Sequence, residues 1–175
     1  MPTTERTLLL LRHAKAQHGQ GTPDHDRELA PRGRDDSRAV GRWLSDPSRA
    51  LAPDLVICST SERTRQTLVG VLAGGLSVSE VLFDERVYDA GATALLNVLL
   101  EVPDSVMTVL MIGHAPGIPM LASALALNGA GSSDAFERLS MGFPTSALVI
   151  LGLEGGWAAL SAGTAHLREY VVPRG

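Results

Sequence analysis

Four consecutive leucines, Leu8 to Leu11, run directly into Arg12-His13-Ala14-Lys15, and this junction restricts the fold more than any other stretch. An apolar run so short, bounded by polar residues, predicts a strand buried on both faces. Strands of that kind belong to sheets covered by helices on each side. In open α/β sheets, ligands bind just beyond the carboxyl ends of such strands. Arg12 and His13 are therefore expected at the edge where chemistry is done.

The remaining apolar segments fit one sheet. Asp54-Leu55-Val56-Ile57-Cys58, ending at Ser59, predicts a second buried strand. Residues 79–83 predict a short one, Ser105 to Ile112 a strong one that ends in Gly113-His114, and Thr145 to Leu153 and Ala165 to Val172 the last two. A helix is expected from Pro31 to Ser45, where Asp36, Ala39, Val40, Trp43 and Leu44 fall on one face and form a one-sided, mainly apolar stripe. Further helices are expected from Ser61 to Ala73, Thr93 to Glu101 and Pro116 to Leu127. Residues 17–31 read as a polar loop beside the Arg-His pair, and residues 128–133 as a flexible linker. Alternation of this kind predicts an α/β fold, a three-layer α/β/α sandwich with a mostly parallel central sheet and helices on both faces. The short Gly155-Gly156 turn makes the last two strands an antiparallel pair, so the sheet is expected to be mixed.

Composition narrows the function classes. At 175 residues and 45% hydrophobic, one domain spanning residues 1–175 with a substantial core is expected. A net charge of −4 supplies no basic field, so neither nucleic acid nor an anionic membrane is an expected partner. The lone cysteine, Cys58, has no internal disulfide partner, which points to a reducing, cytoplasmic setting. The Leu8–Leu11 run is too short for a signal-peptide core or a membrane span. Lys15 is the sole lysine beside 14 arginines. Forked guanidinium donors suit phosphate, although a genomic composition bias explains the excess more simply.

The informative pattern is where polar residues meet the strand ends. Arg12-His13 closes the first strand, Ser59 and Arg63 follow the second, and Gly113-His114 closes a later one. Two arginines and two histidines thus converge on one side of the sheet. Paired guanidiniums can hold a phosphoryl group. An imidazole is a competent nucleophile when its attacking nitrogen carries no proton. The neighbouring arginine charges disfavour a cationic His13.

LLLLRHAKA, STSERTRQT and MIGHAPGI together resemble the histidine phosphatase (phosphoglycerate mutase-like) superfamily, and within it the short SixA-type phosphohistidine phosphatases. Asp26 to Gly33 and Phe143-Pro144-Thr145 extend the similarity over residues 7 to 172. The resemblance implies that His13 is a nucleophile that becomes transiently phosphorylated. It also implies that Arg12, Arg63 and His114 surround the transferred group, with no metal or other cofactor. Two departures stand out. Ala14 replaces a common glycine, and Ala115 replaces a common asparagine, which removes one polar side chain near the pocket. Larger family members place a carboxylic acid to protonate an alcohol leaving group. Glu85, after the 79–83 strand and before Val87-Tyr88, is the local candidate here, against an ordinary solvated carboxylate.

Other polar residues carry blander readings. Lys15 and His18 border the site as solvated loop residues, Asp26 and Arg27 fix the loop, and Arg65 is structural. Cys58 is packing, and His25 and His166 have no ligand-like spacing, so no metal site is assigned. The expected activity is a metal-independent phosphatase acting on a phosphohistidine protein through His13. The alternatives are a phosphatase or mutase for a small phosphoester, and a catalytically silent phosphate-binding domain.

Overall fold

The computed structural model describes residues 5–126 and 129–175. Its first strand, β1 (Arg6–Arg12), is interior to a six-stranded sheet. The other strands are β2 (Leu55–Ser59), β3 (Glu80–Asp84), β4 (Thr108–Gly113), β5 (Leu148–Leu153) and β6 (Ala165–Val171), in the order β3-β2-β4-β1-β5-β6. Pairing is parallel among β1 to β4. It turns antiparallel where β5 meets β1 and again where β6 meets β5. The sheet is mixed, with β5 as the reversed strand.

Leu8 to Leu11 are completely buried, and each contributes roughly 1.5–3 kcal/mol relative to an exposed leucine. Strand alternation divides them. Leu8 and Leu10 enter one core with Ile57, Met111 and Val149, while Leu9 and Leu11 enter the other with Val56, Leu110 and Ile150. Helices α1 (Pro31–Leu44) and α2 (Glu62–Ala73) cover the second core through Val40, Leu44, Leu68 and Val71. The first core is covered by α3 (Ala92–Leu100) and α4 (Gly117–Leu125), which contribute Leu95, Leu99, Ile118 and Leu121. The result is the expected three-layer α/β/α arrangement. Among the described residues, no helix is long and apolar enough to cross a membrane.

Three local expectations require correction. The 128–133 linker is tied down where it is described: Ser132 N–H donates to the Leu167 carbonyl at 2.8 Å, and Leu167 N–H to the Ala130 carbonyl at 2.9 Å. Asn128, and Leu127 at the end of the predicted helix, lie outside the described residues. An additional helix, α5 (Ser133–Met141), follows, its first turn capped by the Ser132 hydroxyl, which accepts from Ala135 N–H at 3.3 Å. Its sequence hides it because Ala135 is its one fully buried residue. Finally, the Thr145–Leu153 strand starts only at Leu148. Ser146 adopts φ +65° and turns its N–H onto the carbonyls of Arg12 and His13, both at 3.2 Å. That turn fastens the loop before β5 to the end of β1.

Close backbone approach also shapes the sheet edge. A side chain at Gly33 would run into the Lys15 carbonyl, and one at Gly117 into the Ala90 carbonyl. Both glycines let helix starts press against the loops that follow β1 and β3.

Candidate active site

The strand register assembles the site. Arg12 of β1 lies opposite Gly113 of β4, and His13 N–H donates to the Gly113 carbonyl at 3.0 Å. His13 and His114 therefore leave adjacent strands at the same level, their ring centroids 5.1 Å apart and tilted by 58°. Strand β2 flanks β4 on its other side, which brings the Ser59 hydroxyl 2.8 Å from His114 Nε2. Two residues of turn separate Ser59 from α2, so Arg63 falls in the first helical turn, buried beneath the cleft.

Hydrogen-bond chemistry fixes both imidazole tautomers. A carbonyl can only accept, so His13 Nδ1, 2.7 Å from the Ala14 carbonyl, carries the proton. Nε2 of a neutral His13 is then the bare nitrogen, and no hydrogen bond engages it among the described residues. A guanidinium can only donate, so His114 Nδ1, 3.3 Å from Arg63 Nη2, is bare, and His114 Nε2–H donates to Ser59. Burial pushes the pKa of His13 down to about 4; the Arg63, Arg12 and Arg27 charges push the same way, against the Ala14 hydrogen bond. Burial also lowers His114 to about 3, with His13 and Arg63 adding to the effect. Both rings are neutral near pH 7. The arginines contribute as the sequence suggested, but burial is the larger cause.

These four side chains line a cleft of about 540 Å³ together with Lys15, Asp24, Arg27, Tyr88, Asp89, Ala115 and Thr145. Lys15, Asp24 and Asp89 are exposed, so the mouth reaches solvent. Four cationic side chains face two carboxylates. Arg12 Nη1 is held by the Phe143 carbonyl at 2.7 Å. The Nε groups of Arg12 and Arg63 are buried without a partner among the described residues. An unsatisfied buried donor costs about 1–3 kcal/mol. Among the described residues, no group of three or more His, Cys, Asp or Glu side chains is arranged to hold a metal ion.

Glu85 is not in this cleft. It sits exposed in a short 3-10 turn, Glu85–Val87, after β3. Val87 drops into the core there, and the Asp84 carboxylate accepts from Arg86 N–H at 2.9 Å. The chain enters the cleft wall only at Tyr88 and Asp89. His18 is also outside it. Arg65 donates to the Thr60 carbonyl at 2.8 Å and stacks over Phe83. Burial raises the Cys58 thiol pKa to about 12, so it is inert packing.

Asp24 and Tyr88, both in the cleft, were not assigned to the site from the sequence. Asp24 accepts from the Tyr88 hydroxyl at 2.7 Å, from Arg63 Nη2 at 3.0 Å and from Arg27 Nε at 3.0 Å, and its backbone carbonyl accepts from Arg63 Nη1 at 2.6 Å. The Tyr88 hydrogen bond, followed by those from Arg27 and Arg63, holds this carboxyl well below the usual carboxylate range. Tyr88 was visible only as a neighbour of Glu85. No local pattern marks either residue, because their partners are remote in the chain.

Residues 8–89 match the family model described as the histidine phosphatase superfamily, branch 1. An uncharacterized protein of Mycobacterium tuberculosis is 38% identical over 164 residues, covering 94% of this chain and 100% of its own. Two similar solved structures bear the name of the phosphohistidine phosphatase SixA. That from Nakamurella multipartitia is 36% identical, covers 99% of each chain and superposes with a TM-score of 0.85. That from Agrobacterium tumefaciens is 25% identical, covers 96% of this chain and 99% of its own, and gives 0.76.

Proposed function

The chain belongs to the histidine phosphatase superfamily and is a phosphatase, and from that premise we propose that it dephosphorylates phosphohistidine on proteins by way of a phosphorylated His13. Nε2 of His13 attacks phosphorus in line with the leaving group. Arg12 and Arg63 neutralise the equatorial oxygens, which is most of what phosphoryl transfer asks of a protein, and the neutral His114 ring, accepting from Arg63, helps hold that guanidinium in place. Water then hydrolyses the His13 phosphoramidate. The guanidiniums supply the positive charge, so no metal is required.

The observation that carries the substrate assignment is the state of Asp24. This carboxylate, joined directly to Arg63, receives donors from three side chains. It is held as an acceptor and has no proton to give. An alkoxide leaving group needs such a proton, whereas a phosphorylated imidazole that carries a proton on its other nitrogen, as such a ring can near neutral pH, leaves as neutral imidazole without further acid. The names borne by the two similar structures agree with this reading. A cleft mouth reaching solvent beside Lys15 and Asp89 suits a side chain protruding from a protein. The single, buried, unpaired cysteine fits action in the cytoplasm.

A metal-free panel tests the assignment, comparing a phosphohistidine peptide with aryl and sugar phosphates. The peptide is expected to have the highest kcat/KM. A higher value for a small ester would shift the assignment to a metabolite phosphatase.

A further inference from the structure

We propose that Tyr88 is a specificity-determining residue whose ring forms the wall against which the departing imidazole of the substrate packs. This rests on the phosphohistidine reading above.

The segment carrying Tyr88 is fixed on both sides. Before it, Val87 is buried in the core, and Asp84 caps the turn by accepting from Arg86 N–H. After it, Asp89 takes φ +49°, a left-handed turn that aspartate tolerates better than most residues. Ala90 then abuts Gly117 at the start of α4. This bend delivers Tyr88 and Asp89 together into the cleft wall.

The ring itself is equally constrained. Its hydroxyl donates to Asp24 at 2.7 Å. The ring stands nearly perpendicular to His114, with centroids 5.5 Å apart at 85°, and to His25, 4.9 Å apart at 75°. His25 is held in turn by the Thr60 hydroxyl, 3.0 Å from Nε2. The Arg63 guanidinium carbon lies 5.9 Å from the tyrosine centroid. An aromatic wall anchored by a hydrogen bond thus stands beside the ring that faces His13.

Its chemistry suits one class of leaving group. During transfer the substrate N–P bond breaks, and its electron pair returns to the imidazole nitrogen. The other ring nitrogen keeps its proton, and His13 Nε2 forms the new N–P bond. The departing group is planar and aromatic, and it is cationic before the bond breaks. Edge-to-face and cation–π contacts with a tyrosine ring favour such a group. An aliphatic or inorganic leaving group gains nothing from them.

The test compares kcat/KM for a phosphohistidine peptide with that for phosphoramidate, which has the same N–P bond without a ring. Tyr88→Leu removes aromaticity while keeping bulk, and Tyr88→Phe keeps the ring while removing the hydroxyl. In Tyr88→Leu the peptide-to-phosphoramidate ratio is expected to fall roughly three- to tenfold, and in Tyr88→Phe to remain within about twofold of wild type on the same basis. Phosphoramidate turnover reports in the same samples that the site is folded. An unchanged ratio in Tyr88→Leu, with the wild-type enzyme active on the peptide, overturns the role of Tyr88 alone. A wild-type enzyme that turns over phosphoramidate but not the peptide overturns the substrate reading and this inference with it.

Discussion

Nδ1 of His13 donates to the carbonyl oxygen of Ala14, its own chain neighbour, at 2.7 Å. The contact decides which nitrogen of the ring can react. It commits the proton to Nδ1 and holds the imidazole plane, so Nε2 is the bare nitrogen at the end of β1. When Nε2 gains a phosphoryl group, the ring becomes cationic and the same hydrogen bond strengthens. The site is thus prepared for a nucleophile that is neutral before the reaction and positive after it.

The first prediction concerns pH. With a folded pKa near 4 against an ordinary 6.5, His13 stays unprotonated well below neutrality. The acid limb of kcat/KM set by the free enzyme is expected as pH falls through about 4, and not through 6.5. Stability follows the same linkage. Between pH 6.5 and about 4 the unfolded chain binds a proton at this position that the folded chain does not, so stability falls as pH falls through that window. His114, lowered to about 3, acts in the same direction. Rate profiles and thermal melts across pH 3.5–8 check both statements.

Arg63 is the second test. It is buried, donates to Asp24 and His114 and has no partner for its Nε among the described residues. Replacing it by alanine is expected to lower kcat by about 10²–10³, the cost of removing one preorganised donor to transition-state charge. Arg63→Lys is expected to recover little, because one ammonium cannot reproduce the fork. Steady-state kinetics on the phosphohistidine peptide, with circular dichroism to verify folding, measures this.

Asp24 provides the third. Its carboxylate orients Arg63 without being placed to donate a proton, so Asp24→Ala is expected to weaken inhibition by inorganic phosphate and to lower kcat/KM by roughly tenfold, as loss of positioning does. Asp24→Asn retains an acceptor oxygen and is expected to fall between wild type and alanine. If either variant instead bound phosphate more tightly, Asp24 would be a competitor for Arg63 and not its support.

The architecture was readable because its signals are local. Leu8–Leu11 and Leu55–Cys58 announce doubly buried strands, and the polar residues after them mark the sheet edge where Arg12, His13, Arg63 and His114 meet. Helix α5 was not readable, since it buries little and its cap is one serine. Nor was the start of β5, because Ser146 is diverted by contacts to Arg12 and His13, which are more than 130 positions away in the chain. Asp24 illustrates the same limit. It meets Arg63 across 39 positions and Tyr88 across 64, and no periodicity encodes such a meeting. Glu85 shows the converse: strand-end position alone suggested a site residue, but the turn at Val87 leaves its side chain in solvent.

The most direct measurement is of the intermediate itself. Brief exposure of the enzyme to a phosphohistidine peptide, followed by alkaline quenching and peptide mapping by mass spectrometry, should find one phosphoryl group on His13, stable to alkali and lost in acid. The group should be absent from His13→Ala, which should also lack turnover while keeping the wild-type fold. Undiminished hydrolysis by His13→Ala, or a phosphoryl group mapped to another residue, would contradict the account.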